Sequence, residues 1–210
     1  DLLLGGPPCQ GHSDLNNHTR RADPKNELYF SMARFARVLE PRWILIENVP
    51  GAPHDRSGVV QRSWAELEAL GYRLQGGVLH GERIGVPQRR RRYFMLASRR
   101  PLPTVPAIEE ALAQPPRTLA WAIEDLLDAT PGPNRTFDNS AVHYRQNVER
   151  IRLLHDLDIH DLPDEHRPAC HRDKPHSYKS VYGRMYWDRP TQTITTGFGS
   201  CGQGRYVHPK

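Results

Sequence analysis

The sequence predicts an α/β protein, on three observations. Short continuous apolar runs at Leu2–Leu4, Trp43–Ile46 and Tyr93–Ala97 have the character of strands buried on both faces. Segments with helical spacing, 24–39 and 61–70, stand between them. Strand, helix, strand, helix, strand is the alternation of a parallel sheet with helices on its faces.

Leu2–Leu4 is the first strand, and a polar stretch over 14–23 follows it. Asp23 is placed to cap a helix with Pro24 at its first position. Leu28, Met32, Phe35 and Leu39 recur at helical spacing, which gives the helix over 24–39 one apolar face and makes Leu28 a core candidate. Pro41 ends it, and Trp43-Ile44-Leu45-Ile46 is the second strand. Gln61–Leu70 is the second helix, with Gly71 at the position after its C-cap. Tyr72–His80 is a mixed strand, and Tyr93–Ala97 completes a first region, 1–98. Past Ser98 the character changes. Residues 99–117 are rich in proline and read as a linker. Helices are expected over 118–127 and 139–157. Val181–Trp187 and Thr191–Thr196 read as a strand pair joined through Asp188-Arg189-Pro190, and 197–206 is glycine-rich. The second region, 99–210, is too poor in apolar residues for a sheet-and-helix core. It is expected to be a recognition module with long loops.

Composition narrows the function classes. The chain has 210 residues, a net charge of +5 and three cysteines, with a pI near 9.3 and a mean hydropathy of −0.70. No apolar stretch approaches membrane-spanning length, so no membrane partner is expected. Cys9, Cys170 and Cys201 are too few and too scattered for a disulfide framework, and a reducing, cytoplasmic setting is expected. The basic balance fits a polyanionic partner. His155, His160, His166, His171 and His176, with Cys170 nearby, match no compact zinc spacing, so no metal is expected.

The most informative segment is Gly5-Gly6-Pro7-Pro8-Cys9-Gln10-Gly11-His12-Ser13, at the end of the first strand. Ligands of open α/β sheets bind beyond the carboxyl ends of the strands. The prolines stiffen the loop and the glycines let the backbone approach closely. A thiol held there suits a nucleophile, since attack needs a fixed trajectory. Glu47, in Ile46-Glu47-Asn48-Val49, stands at the end of the next strand. Burial there would favour its protonated form, able to exchange a proton with a ring nitrogen. In Gln88-Arg89-Arg90-Arg91-Arg92, extended geometry puts Gln88, Arg90 and Arg92 on one face and Arg89 and Arg91 on the other.

The string Gly-Gly-Pro-Pro-Cys-Gln-Gly-x-Ser, the Glu-Asn-Val after an apolar strand and the Gln-x-Arg-x-Arg run resemble, in that order, signatures of the DNA (cytosine-5)-methyltransferases. Thr191-Gln192-Thr193-Ile194-Thr195-Thr196 resembles the end of that family's target-recognition region. The resemblance implies part of a Rossmann-like methyltransferase sheet with helices, plus a loop-rich mixed target-recognition region. It implies S-adenosylmethionine as methyl donor and double-stranded DNA as substrate, with the cytosine flipped out of the stack. Carried residue by residue, it makes Cys9 the nucleophile and Glu47 its partner at N3 of the base. Arg92 falls at the base's O2, and Arg90 supports the site. Pro8 and Leu28 fall beside the cofactor, and Gln10, Ser13 and Thr195 beside the DNA. His12 departs from the family's common Phe.

The family's glycine-rich cofactor loop and its closing segments have no counterpart in these residues. The expectation is therefore a fragment of a restriction-modification enzyme, cytoplasmic, bacterial-type and monomeric when full length. Weak or no cofactor binding and doubtful independent folding are expected of the piece. Three alternatives stand beside this: a non-catalytic DNA-binding fragment, one subunit of a split methyltransferase, and a related RNA methyltransferase.

Overall fold

The computed structural model describes residues 1–9, 23–128, 142–172, 181–195 and 201–210. They gather into two compact units, Asp1–Ile84 with Arg90–Pro115, and Gly85–Arg89 with Pro116–Lys210.

The first unit holds a four-stranded sheet in the order β1 (Leu2–Gly5), β2 (Trp43–Asn48), β5 (Arg91–Ser98), β3 (Arg73–His80). β1 and β2 are parallel, but β5 runs antiparallel to both its neighbours, so the sheet is mixed. This corrects the parallel-sheet expectation. A parallel return needs a crossover of a dozen or more residues, usually a helix. The chain from His80 to Arg91 carries only a turn of 3-10 helix at Gly81–Arg83 and the two-residue strand β4 (Gln88–Arg89).

Asp23 caps as expected, its side chain accepting from the Lys25 amide at 2.9 Å. The helix it opens is 3-10 over Pro24–Phe30 and becomes α only at α1 (Ser31–Leu39). Tyr29, Met32, Ala33 and Ala36 enter the core, whereas Leu28, Phe35 and Leu39 are exposed. The expected apolar face therefore holds only at Met32. Ala33 and Ala36 let α1 approach the sheet closely. Gly5 matters for the same reason, because a Cβ there would lie 2.2 Å from Met32 Sδ.

α2 (Val59–Ala69) completes this side, and Ile44, Ile46, Leu67, Leu74 and Met95 are buried in the core it shares with α1. Its end is closed by Gly71 at φ +83°, with the Tyr72 amide bonded to Leu67 O at 3.1 Å and the Gly71 amide to Glu68 O at 2.9 Å. These are the two bonds of a Schellman motif. Gly71→Ala is expected to destabilise the chain by about 1–2 kcal/mol, the cost of a left-handed non-glycine residue, measured by denaturant titration.

Residues 99–117 are not a bare linker. They contain α3 (Val105–Ala111), capped by Thr104 Oγ1 accepting from the Ala107 amide at 3.2 Å. α3 covers the opposite face of the sheet. A Cβ on Gly77 would lie 2.9 Å from Val105 Cβ, whereas one on Gly76 would point at Tyr93 and Trp64. The register puts Leu2, Leu4 and Trp43 on α3's face, toward the β1 edge, and all three are exposed.

The second unit contains β4, α4 (Leu119–Ile123), α5 (Arg145–Asp156), β6 (Gly183–Arg184), β7 (Thr191–Gln192) and β8 (Arg205–Val207). The expected pairing of 181–187 with 191–196 does not form. β6 pairs with β8, and β7 with β4. The carbonyls of Trp187 and Arg189 are taken by the Ala120 and Leu119 amides at the start of α4, both at 3.0 Å, so this segment is bound to a helix end. A small core of Leu154, Leu162 and Val207, flanked by Ile151, Ile159 and Tyr182, holds the unit. Among the described residues, no helix is long and apolar enough to cross a membrane.

Candidate functional site

The ends of three strands converge on one edge of the first unit's sheet. β1 ends at Gly5, paired with Ile46, and four residues later the chain reaches Cys9. β2 carries Glu47 and Asn48 past that pair, and Asn48 lies opposite Tyr93, the residue after Arg92. Cys9, Glu47 and Arg92 are thus brought to one place by sheet register, although β2 and β5 run in opposite directions.

Arg92 Nε lies 2.8 Å from Glu47 Oε1, with the two side chains 19% and 35% exposed. A half-exposed pair of this kind contributes about 0–1 kcal/mol to stability. Folding alone therefore gives little reason for it. Burial draws the Arg92 guanidinium below its usual value, and the neighbouring Arg90 cation adds to that, while Glu47 and Cys9 oppose it. Arg90, Glu47 and Cys9 are thus all near enough to act on the Arg92 charge. Arg92 remains a cation throughout, since guanidinium does not deprotonate in proteins. Glu47 is thus in contact with a fixed charge. Gln88, Arg90 and Arg92 are partly buried and Arg89 and Arg91 exposed, the alternation extended backbone dictates.

Cys9 and Pro8 are exposed on the loop. A Cβ on Gly6 would stand 3.7 Å from Glu47 Oε2, so the carboxylate lies over the loop backbone. The loop is held by a residue the sequence reading passed over. Asn48 is 1% exposed, and its amide donates to the Pro7 carbonyl at 3.1 Å while its oxygen accepts from the Val49 amide at 2.8 Å. A signal existed, since an amide beside Glu47 at the end of a buried strand needs partners for both of its ends. Asn48→Ala leaves a carbonyl and an amide without these bonds. It is expected to cost about 1–3 kcal/mol in denaturant titration.

Leu28 is 49% exposed, and so is a surface residue of its helix and not a core residue. Gln10 and Ser13 lie outside the described residues. Thr195 belongs to the second unit, where its Oγ1 is 2.7 Å from Tyr206 Oη and its amide donates to the same oxygen at 3.3 Å. Tyr206 is a second residue the sequence reading missed. It occupies space beside Gly204, where a Cβ would lie 2.5 Å from its ring. Elsewhere in that unit, His160 stacks on Tyr186 with ring centroids 3.9 Å apart, and Arg189 and Arg205 lie over the same ring at 4.2 and 5.1 Å. Among the described residues, no group of three or more His, Cys, Asp or Glu side chains is placed to hold a metal.

The chain has relatives among known proteins. The chain is 49% identical over 208 residues to the Type II methyltransferase M1.BsuMI of Bacillus subtilis, covering 99% of this chain and 48% of that protein. It is 32% identical over 218 residues to the Type II methylase M.HgiDII of Herpetosiphon aurantiacus, covering 100% of this chain and 60% of that one. The chain thus spans about half to three-fifths of the length of these relatives. A solved structure, the Entamoeba histolytica methyltransferase EhMeth, matches 48% of this chain and 32% of its own at 25% identity, with a TM-score of 0.39. The family model described as C-5 cytosine-specific DNA methylase matches residues 1–206, and the chain belongs to that family.

Proposed function

We propose that the protein to which this chain belongs methylates C5 of cytosine in double-stranded DNA, as the modification enzyme of a Type II restriction-modification system, using S-adenosylmethionine. The observation that carries this reading is the placement of Cys9, Glu47 and Arg90 near the Arg92 charge at one sheet edge.

C5 of cytosine is a poor nucleophile, and the residues answer that difficulty in order. Cys9 Sγ, as thiolate, adds to C6, and the electron pair released from the C5–C6 double bond spreads toward C5, N3 and O2. Glu47 stands at N3 and Arg92 at O2, so negative charge developing on the ring meets a fixed cation, and N3 has a carboxyl group beside it for proton exchange. Arg90 adds positive potential beside them. C5 is then electron-rich, and S-adenosylmethionine supplies an electrophilic methyl group when bound. Loss of the C5 proton to water and departure of Cys9 as thiolate, with the C5–H electron pair becoming the C5–C6 π bond, restore the double bond. The thiol ends as it began. Because these atoms lie inside the duplex stack, the base must first be flipped out.

Pro8, exposed beside Cys9, and Leu28, with half its side chain free, fit an apolar contribution to the cofactor site. In the second unit the stacked His160 and Tyr186 carry Arg189 and Arg205 over the same ring, each arginine also paired with an aspartate, and this polar aromatic patch supports a DNA-contacting role for residues 116–210. Thr195 would act there through its shared hydroxyl contact with Tyr206, and Gln10 and Ser13 would approach the DNA from the nucleophile loop. The test is nucleoside mass spectrometry of duplex DNA incubated with the full-length protein and S-adenosylmethionine. The expected product is 5-methyl-2′-deoxycytidine. A methyl group found only on an exocyclic nitrogen, or only in RNA, would overturn the proposal.

A further inference from the structure

Arg92 has an unusual support. β2 ends its pairing at Asn48 opposite Tyr93, so among the described residues the backbone of Arg91 and Arg92 is paired only with β3, through His80 and Leu79. Glu47 holds the guanidinium head, but the backbone that carries it depends on how firmly the end of β3 is fixed. α3 supplies the fixing group. Glu109 Oε2 accepts the His80 amide at 2.7 Å and faces His80 Nδ1 at 3.0 Å, and its Oε1 accepts from Arg83 at 2.8 Å. The next amide along, Gly81, donates to the Arg90 carbonyl at 2.8 Å. Two successive amides thus point to Glu109 on one side and to the arginine strand on the other. The Glu109 side chain is only 12% exposed, and three donors are a large share of what a carboxylate can accept. Burial alone would raise its pKa, but these hydrogen bonds outweigh it and hold the group ionised below the usual carboxylate range.

We propose that Glu109 is a positioning residue for Arg90 and Arg92, acting through the end of β3 and the turn that follows it. This rests on the methyltransferase reading above. It concerns a residue outside the segments that carry the family resemblance, in a stretch that the sequence alone presents as a linker. Without Glu109, the His80 amide loses its carboxylate partner, the turn loosens, and the one-sided pairing of Arg92 loosens with it.

The experiment measures single-turnover methyl transfer and DNA affinity in the full-length protein, for wild type, Glu109→Ala and Glu109→Gln, each also in an Arg92→Lys background. Glu109→Ala is expected to slow transfer by about tenfold, with the dissociation constant for DNA changed by less than about twofold. Glu109→Gln should recover part of the rate, because an amide oxygen still accepts the His80 N–H. In the Arg92→Lys background the effect of Glu109→Ala should shrink to less than about threefold, as coupled sites are not additive. A Glu109→Ala rate within about twofold of wild type would overturn the proposal, as would an undiminished effect in the lysine background. Should Glu109→Ala fail to fold, Glu109→Ser takes its place in the two backgrounds under the same criteria. A wild-type protein that transfers no methyl group would instead count against the methyltransferase reading itself.

Discussion

Cys9→Ala in the full-length protein is expected to lower methyl transfer by at least about 10⁴-fold, with DNA binding changed little. The size follows from what the thiolate does. Without addition at C6, C5 keeps its low nucleophilicity, and no other side chain in the described site can supply a covalent electron pair. Losses of about this size or larger follow when a nucleophile is removed from an assembled site. Cys9→Ser should fare almost as badly, because an alcohol has no adjacent base here comparable to a thiol's own acidity. The stability cost should be small, since Cys9 is exposed on its loop. Equal losses of activity and of folding would speak for a structural cysteine.

Arg92→Ala has the second largest expected effect, about 10²–10³-fold in kcat, comparable to deleting one donor of an oxyanion site. Its diagnostic feature is a mismatch of scales. The Glu47 pair is worth about 0–1 kcal/mol to folding, because both partners keep contact with water. The same guanidinium facing developing charge on a flipped base is worth about 3–4 kcal/mol in rate. The thermal midpoint should therefore move little while kcat collapses. Arg92→Lys should recover only part of the rate, because an ammonium cannot hold Glu47 and the base oxygen with one rigid plane. A loss confined to KM would mean that Arg92 serves binding alone.

How much of this was legible in the sequence depends on what each residue needs from its neighbours. The strands at Leu2, Trp43 and Tyr93 were legible because their runs are apolar throughout, but the expected burial on both faces does not hold at Leu2, Leu4 and Trp43, which are exposed. The Asp23 cap and the Gly71 terminator were legible because their chemistry is local. The direction of β5 was not, since it depends on the length of the connection from β3, where no helix forms. The buried face of α1 was misplaced because it is built on the small Ala33 and Ala36, whose apolar signal is weaker than that of the exposed Phe35 and Leu39. α3 was missed because proline-rich composition obscured its own start signal, Thr104 followed by Pro106 in the first turn. Within the site, Cys9, Glu47 and Arg92 could be named from their motifs, because reactive side chains recur at characteristic spacing. Tyr206 and Glu109 could not, because each acts by holding a backbone or side-chain partner that only the fold brings near, and Asn48 carried only the general demand of a buried amide for partners at both ends.

The central claim is a covalent bond between Cys9 and the target base, and it can be trapped. Duplex DNA carrying 5-fluorocytosine has no C5 proton to lose, so the enzyme that has added and methylated cannot leave. The full-length protein, incubated with such DNA and S-adenosylmethionine, is expected to form an adduct that survives denaturation and maps by mass spectrometry to the peptide containing Cys9. Cys9→Ala should form none. An intact protein that methylates cytosine at C5 yet gives no adduct, or one that maps to Cys170 or Cys201, would contradict the account.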